Sequence, residues 1–195
     1  SGALGAFTVN SGTDSGTITF ATAADIGTAD AAGASSITVG GTGTTTLTIN
    51  GAEYNSSGNQ EYEANSIVIS GTNPDFNAST DGAHIKFIDG ATDQLVLSNT
   101  ANLTVQTNNG AINIAPQIKG TGADDNTNVT LSSSGSAGTG SIVLSNTAAG
   151  GVINTDIGDV SLTGGTITVS GDITTDGGGI DIDGGFVLNL SLIHI

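Results

Sequence analysis

Apolar residues in this chain recur in pairs separated by one residue, and that spacing restricts what it can fold into. Phe7-Thr8-Val9, Ile18-Thr19-Phe20, Ile37-Thr38-Val39 and Leu47-Thr48-Ile49 begin the series. Ile67-Val68-Ile69, Ile85-Lys86-Phe87, Leu95-Val96-Leu97, Leu103-Thr104-Val105, Ile112-Asn113-Ile114, Val129-Thr130-Leu131 and Ile142-Val143-Leu144 continue it. Val160-Ser161-Leu162, Ile167-Thr168-Val169, Ile180-Asp181-Ile182 and Phe186-Val187-Leu188 complete it. A period of two puts both apolar side chains of a triplet on one face of a strand and the middle residue on the other. Gly, Asn, Asp and Ser between triplets supply turns. No helical period is sustained, and Gly27 and Gly33 make the Ala-rich stretch Ala21–Ser36 a loop rather than a helix. The chain is expected to be all-β.

Strand cores of three residues at uneven intervals do not suit a hairpin meander, whose strands average about 5–6 residues. They suit a parallel β-helix, in which each coil contributes short strands joined by turns of variable length. Successive coils stack about 4.8 Å apart and the inward side chains form ladders. Longer offsets agree: Leu95–Ala101 (LVLSNTA) reappears as Ile142–Ala148 (IVLSNTA), 47 residues on. Triplet starts at 18 and 67, 37 and 85, and 47 and 95 lie 48 or 49 residues apart, or two coils of about 24. A β-propeller is the minor alternative, because its blades have a similar period. Blade signatures lean on aromatic anchors such as Trp-Asp, and Trp is absent. The repeated Ser-Asn at 98–99 and 145–146 fits either an asparagine ladder across coils or ordinary turn residues.

Composition removes several functions. Two Lys+Arg against 18 Asp+Glu give a formal charge of −16, which repels phosphate backbones and anionic headgroups. Neither nucleic-acid binding nor membrane insertion is expected, and no apolar run approaches the ~18 residues of a bilayer span. Cysteine is absent, which excludes disulfides, thiol catalysis and Cys-ligated zinc. Methionine is also absent and the chain opens at Ser1 without a charged and apolar leader, as expected of an internal piece or a processed chain.

The segment Ser161–Asp183 (SLTGGTITVSGDITTDGGGIDID) resembles filamentous-haemagglutinin-type and autotransporter-type repeats. Asn50–Tyr62 (NGAEYNSSGNQEY), followed by Ile67-Val68-Ile69, resembles a segment of giant bacterial β-strand-repeat surface proteins. The likeness runs from about residue 4 to 189 and rests on repeat style. It implies a right-handed single-stranded parallel β-helix, export to the bacterial surface, and an adhesive or spacer role toward host or neighbouring-cell glycans or proteins. Residues 1–189 are accordingly read as a β-helix segment of a longer solenoid. Leu190-Ser-Leu-Ile-His-Ile195 breaks the rhythm and resembles a translated sequencing adaptor, so 190–195 is read as a non-native tail, His194 included.

The residues needed for catalysis are scarce. A polygalacturonase-like β-helix carries Asn-Thr-Asp, Asp-Asp, Gly-His-Gly and Arg-x-Lys. Here Asn154-Thr155-Asp156 and Asp124-Asp125 occur in reverse order, and the other two are missing. The chain has no Arg, and Lys86 and Lys119 are far apart in sequence. A hydrolase needs two carboxylates of separated pKa in a cleft, and Asp124/Asp125 read as a solvated loop. No enzyme is expected in this segment; the alternative is a polysaccharide-binding or polysaccharide-degrading β-helix protein with its catalytic coils elsewhere. His84, just before Ile85-Lys86-Phe87, is read as capping a strand or lying on the outer face. No cofactor is expected. The weak metal candidates are Asp176, Asp181 and Asp183, since Asp176–Asp183 (DGGGIDID) resembles a degenerate calcium β-roll nonapeptide. It departs from the pattern at Asp176 and Asp183 and lacks a tandem partner. Thr17/Thr19, Thr46/Thr48 and Thr166/Thr168 each present two outward hydroxyls, but in scattered copies rather than the in-register array that ice recognition needs. Tyr54, Tyr62 and Phe76 cluster in Glu53–Asn77, read as an inserted loop, and are the candidates for shallow sugar contact.

Overall fold

The computed structural model describes residues 5–11, 15–22, 24–27, 33–70, 73–88, 94–98, 101–121, 127–135, 138–146, 151–154 and 157–189. Every triplet lies on a strand, all strand pairing is parallel, and no helix occurs among the described residues. The chain is a parallel β-solenoid, which excludes the propeller.

Three stacks of strands form its sides. The first holds β1 (Phe7–Val9), β3 (Ile37–Gly40), β6 (Gln60–Glu63), β9 (Ile85–Ile88), β12 (Ala111–Ile114) and β15 (Ser141–Leu144). The second holds β2 (Gly16–Phe20), β4 (Thr44–Ile49), β7 (Ser66–Ile69), β10 (Gln94–Leu97), β13 (Gln117–Gly120) and β16 (Ile153–Asn154). The third holds β5 (Glu53–Ser56), β8 (Asp75–Ala78), β11 (Leu103–Thr107) and β14 (Val129–Ser132). The longer β17 (Val160–Val169) and β18 (Ile180–Leu188) run through the third side and on into the first, with a register shift between Thr163 and Thr166.

The period of two places one face of each strand in the core. Ile18, Leu47, Ile67, Leu95, Ile118 and Ile153 form one ladder, and all but Ile18 are fully buried. Parallel stacking with one repeated side-chain type lets each residue pack on its equivalent in the next coil. Coils vary from 19 residues (Ile167 to Phe186) to 35 (Ile118 to Ile153), because the turns absorb the difference. Three of the long offsets are two coils in register: Ile18 to Ile67, Ile37 to Ile85, and Leu47 to Leu95. The LVLSNTA/IVLSNTA repeat is not. Its first copy lies on β10 in the second side and its second on β15 in the first, so Ser98 and Ser145 do not stack; Asn99 lies outside the described residues.

An asparagine ladder forms elsewhere, in the turn leading into the third side. Asn73 Oδ1 accepts the Asn102 N–H (3.2 Å), Asn102 Oδ1 the Asn128 N–H (2.8 Å), and Asn128 Oδ1 the Asp159 N–H (2.8 Å). Asp159 Oδ1 then accepts the Gly179 N–H (2.8 Å). Each side chain satisfies a backbone donor of the next coil that has left the strand ladder. Turn geometry imposes glycine at some corners. Gly40 has φ 91°, and a Cβ there would collide with the Glu63 carbonyl oxygen of the next coil.

Candidate functional site

The aromatic candidates lie inside the solenoid. Tyr54, Tyr62 and Phe76 are on β5, β6 and β8, each with 0% exposure. Glu53–Asn77 is therefore not an inserted loop; it contains β5 to β8, and the proposed sugar contacts are overturned. Bulky rings on a small scaffold bury 150–250 Å² each, and here they stack in the core. Tyr62 lies flat against Phe87 (5.2 Å, 17°), while Tyr62 and Phe76 meet edge-on (5.2 Å, 82°). Phe20 joins edge-on to Tyr54 at 5.9 Å. The polar tips are satisfied internally. The Tyr62 hydroxyl donates to Gln60 Oε1 (2.9 Å), and Tyr54 Oη accepts the Gly51 N–H (3.1 Å). Gln60 is itself fully buried and donates through Nε2 to the Tyr54 and Asn77 carbonyls (2.8 and 2.7 Å). Burial pushes the Tyr54 phenol up to about 12 and holds Tyr62 well above its ordinary value, so both stay neutral core groups.

The calcium candidates are not gathered. Asp181 and Asp183 project outward from β18 beside Ser161 and Thr163, and Asp176 sits in the preceding turn with its N–H on the Ile157 carbonyl (2.8 Å). No group of three or more His, Cys, Asp or Glu among the described residues is placed to hold a metal ion. Parallel stacking spreads these acids along a strand and a turn, where a calcium ion needs six or more convergent oxygens. Asp124 and Asp125, Thr155 and Asp156, and the tail 190–195 lie outside the described residues. Lys86 and Lys119 are on different sides, on β9 and β13.

The outer surface does bring other groups together. On the first side, His84 Nε2 lies 3.0 Å and Lys86 Nζ 3.5 Å from the same Glu61 oxygen. The His84 contact, ahead of the Lys86 charge, draws the Glu61 carboxyl below its usual range. Glu61 and Lys86 are in-register neighbours on β6 and β9, a relation that their separation of 25 residues conceals in the sequence. On the third side, Glu53 and Asp75 are in register on β5 and β8. Partial burial, reinforced by the Glu53 charge, pushes the Asp75 carboxyl up, while Gln106 Nε2 at 3.4 Å from each of its oxygens opposes the shift. On the second side, Thr17 and Thr19 lie in register with Thr46 and Thr48, so two of the three Thr-x-Thr copies are adjacent and not scattered. The array stops there, because Thr48 is followed by Val68, and Thr166/Thr168 belong to the first side.

No helix among the described residues is long and apolar enough to cross a membrane. Comparison with family models, with curated proteins and with solved structures returns no match for this chain.

Proposed function

We propose that this chain is a structural and adhesive segment of a large bacterial β-helix protein that is secreted or displayed on the cell surface. It acts as an adhesin or filament stalk, without catalysis of its own. The supporting observation is the parallel stacking of every described strand on its equivalents in neighbouring coils, which places most of the bulky side chains in the core. Outward positions of the third side carry hydroxyls and amides, such as Thr104, Gln106, Thr130 and Ser132, and the carboxylates of Glu53 and Asp75. Stacked coils hold that polar surface rigidly, and contacts with surface glycans or proteins are made through these groups. Rigidity lowers the ordering cost of each weak contact. The test is binding of the immobilised chain to host-cell and bacterial-surface glycans, with pulling of single molecules between their ends. Saturable glycan or cell binding together with a high unfolding force supports the proposal; absence of both counts against it.

A second reading, a polysaccharide-binding or polysaccharide-degrading protein with its catalytic coils elsewhere, draws on the Glu53–Asp75 pair. The in-register pair, with the Asp75 carboxyl pushed up by partial burial, offers adjacent oxygens that can hydrogen-bond sugar hydroxyls. Retained binding of an acidic or neutral polysaccharide by wild type, lost in Asp75→Ala, favours that reading.

A further inference from the structure

We infer that Asn102 and Asn128 are acceptor sites for N-linked sugar, modified on the folded solenoid by a transferase that draws on an activated sugar. An asparagine followed two residues on by Ser or Thr, with no proline between, is the sequence that such transferases read. The chain carries it at Asn55, Asn77, Asn102, Asn128 and Asn189. The last runs into residues outside the described ones, and the fold sorts the other four.

Asn102 and Asn128 occupy equivalent turns one coil apart, each immediately ahead of its strand, because Leu103 and Thr104 pair in register with Val129 and Thr130. Burial alternates through both segments. Leu103 and Val129 are fully buried, whereas Asn102, Thr104 and Asn128 are half-buried and Thr130 is exposed. Amide and hydroxyl therefore share the outward face, about 6–7 Å apart along the chain. The ladder of turn amides uses only Oδ1 of these residues, which accepts the Asn128 and Asp159 N–H groups. A sugar is attached through Nδ2 and leaves the Oδ1 carbonyl in place, so modification keeps both ladder bonds. Chemistry closes the rest of that column: Asn73 is followed by Pro74 and Asp75, and Asp159 has no amide.

Packing closes the other two positions. Asn55 is 7% exposed, its Nδ2 donates to Glu53 Oε2 (3.2 Å), and Gly33 packs against its backbone. Asn77 lies within β8 between Asn55 and Gln106 of the neighbouring coils, and the Ser79 hydroxyl two residues on donates to the Ser56 carbonyl (3.3 Å).

In the transfer, Nδ2 attacks C1 of a sugar carried as its nucleotide diphosphate. The C1–N bond forms, the C1–O bond to phosphate breaks with its electron pair leaving on the nucleotide, and one Nδ2 proton passes to a base of the transferase. The test incubates the folded chain, in an Asn189→Gln background, with a soluble asparagine glucosyltransferase and UDP-glucose. A synthetic peptide of residues 99–107 is the positive control. Peptide mapping is expected to find glucose on Asn102 and Asn128 and none on Asn55 or Asn77. Thr104→Val, which keeps a β-branched outward residue and removes the hydroxyl, should abolish modification of Asn102 alone, and Thr130→Val that of Asn128 alone. Both variants, and the glucosylated chain, should keep the wild-type melting midpoint. Glucose on neither Asn102 nor Asn128 while the peptide reacts overturns the inference, as does glucose on Asn55 or Asn77 of the folded chain. A fall in midpoint on glucosylation overturns it too, because the ladder bonds would then have been lost. The assay needs neither export nor adhesion, so its failure leaves the adhesive proposal standing.

Discussion

Tyr54 lies flat on Phe76 one coil further along, with ring centroids 5.0 Å apart and planes 16° from parallel. Phe76 also meets Phe87 edge-on at 5.3 Å, so it touches rings on two sides of the solenoid. Removing it empties the centre of the stack. Phe76→Ala is expected to cost about 3–5 kcal/mol in chemical denaturation, whereas Phe76→Leu, which keeps most of the volume, should cost markedly less. Loss of glycan binding by Phe76→Ala at a temperature where the variant remains folded would contradict its placement in the core.

The ladder of turn amides makes a sharper chemical prediction. Asn128 uses Oδ1 to accept from the Asp159 N–H, and its own N–H donates to Asn102 Oδ1. Only the acceptor matters, and Asp159 shows that a carboxylate serves equally well in the same column. Asn128→Ala should lose about 0.5–1.5 kcal/mol. Asn128→Asp should stay close to wild type at neutral pH and fall toward the alanine variant as the carboxyl protonates. Urea denaturation of the three proteins at two pH values measures this.

Gly40 is a backbone constraint with no side-chain counterpart. Its φ of 91° and the approach of the Glu63 carbonyl both exclude a Cβ. Gly40→Ala is expected to cost about 1–3 kcal/mol, visible as a lower denaturation midpoint. By contrast Gly82, whose φ is 78° but which has open space around it, is strained on substitution only through its dihedral. Its alanine variant should lose less.

The triplets were legible because each apolar pair is itself a strand core, and the stack follows from having too little inner face in one coil. β5, β6 and β8 were not legible. Their inward positions mix Tyr54 with Ser56 and Gln60 with Tyr62, so no apolar pair announces β5 or β6, and in β8 Phe76 is paired with Ala78, too small to mark a strand core. Gln60 passes as an inward residue only because Tyr62 and two backbone carbonyls satisfy its amide, a condition invisible in one dimension. The same limit hid the Glu61–His84–Lys86 cluster and misassigned the ladder. Variable turns break any fixed offset, so even heptapeptides that differ only at Leu95/Ile142 fall on different sides, while Asn73, Asn102 and Asn128 align at unequal spacings.

Two carboxylates should shape the acid limb of stability in opposite directions. Glu61 is drawn below its ordinary 4.5 by His84 and Lys86. Its unfolded form therefore binds protons first, and its contribution is present above about pH 4.5 and lost as pH falls through the folded value. With the Glu61 side chain 37% exposed, solvent screening keeps that contribution small. Asp75 is raised above 3.8 by burial and by Glu53. Its folded form holds the proton longer, so stability falls as pH rises from 3.8 through the folded value, and the cost persists at neutral pH. Glu61→Gln should lower the melting temperature at pH 7 and match wild type near pH 2. Asp75→Asn should raise it at pH 7 and converge with wild type below about pH 3.8. Melting curves across pH 2–7 measure both, and difference curves of the same sign would show that the carboxyls do not sit in the environments described.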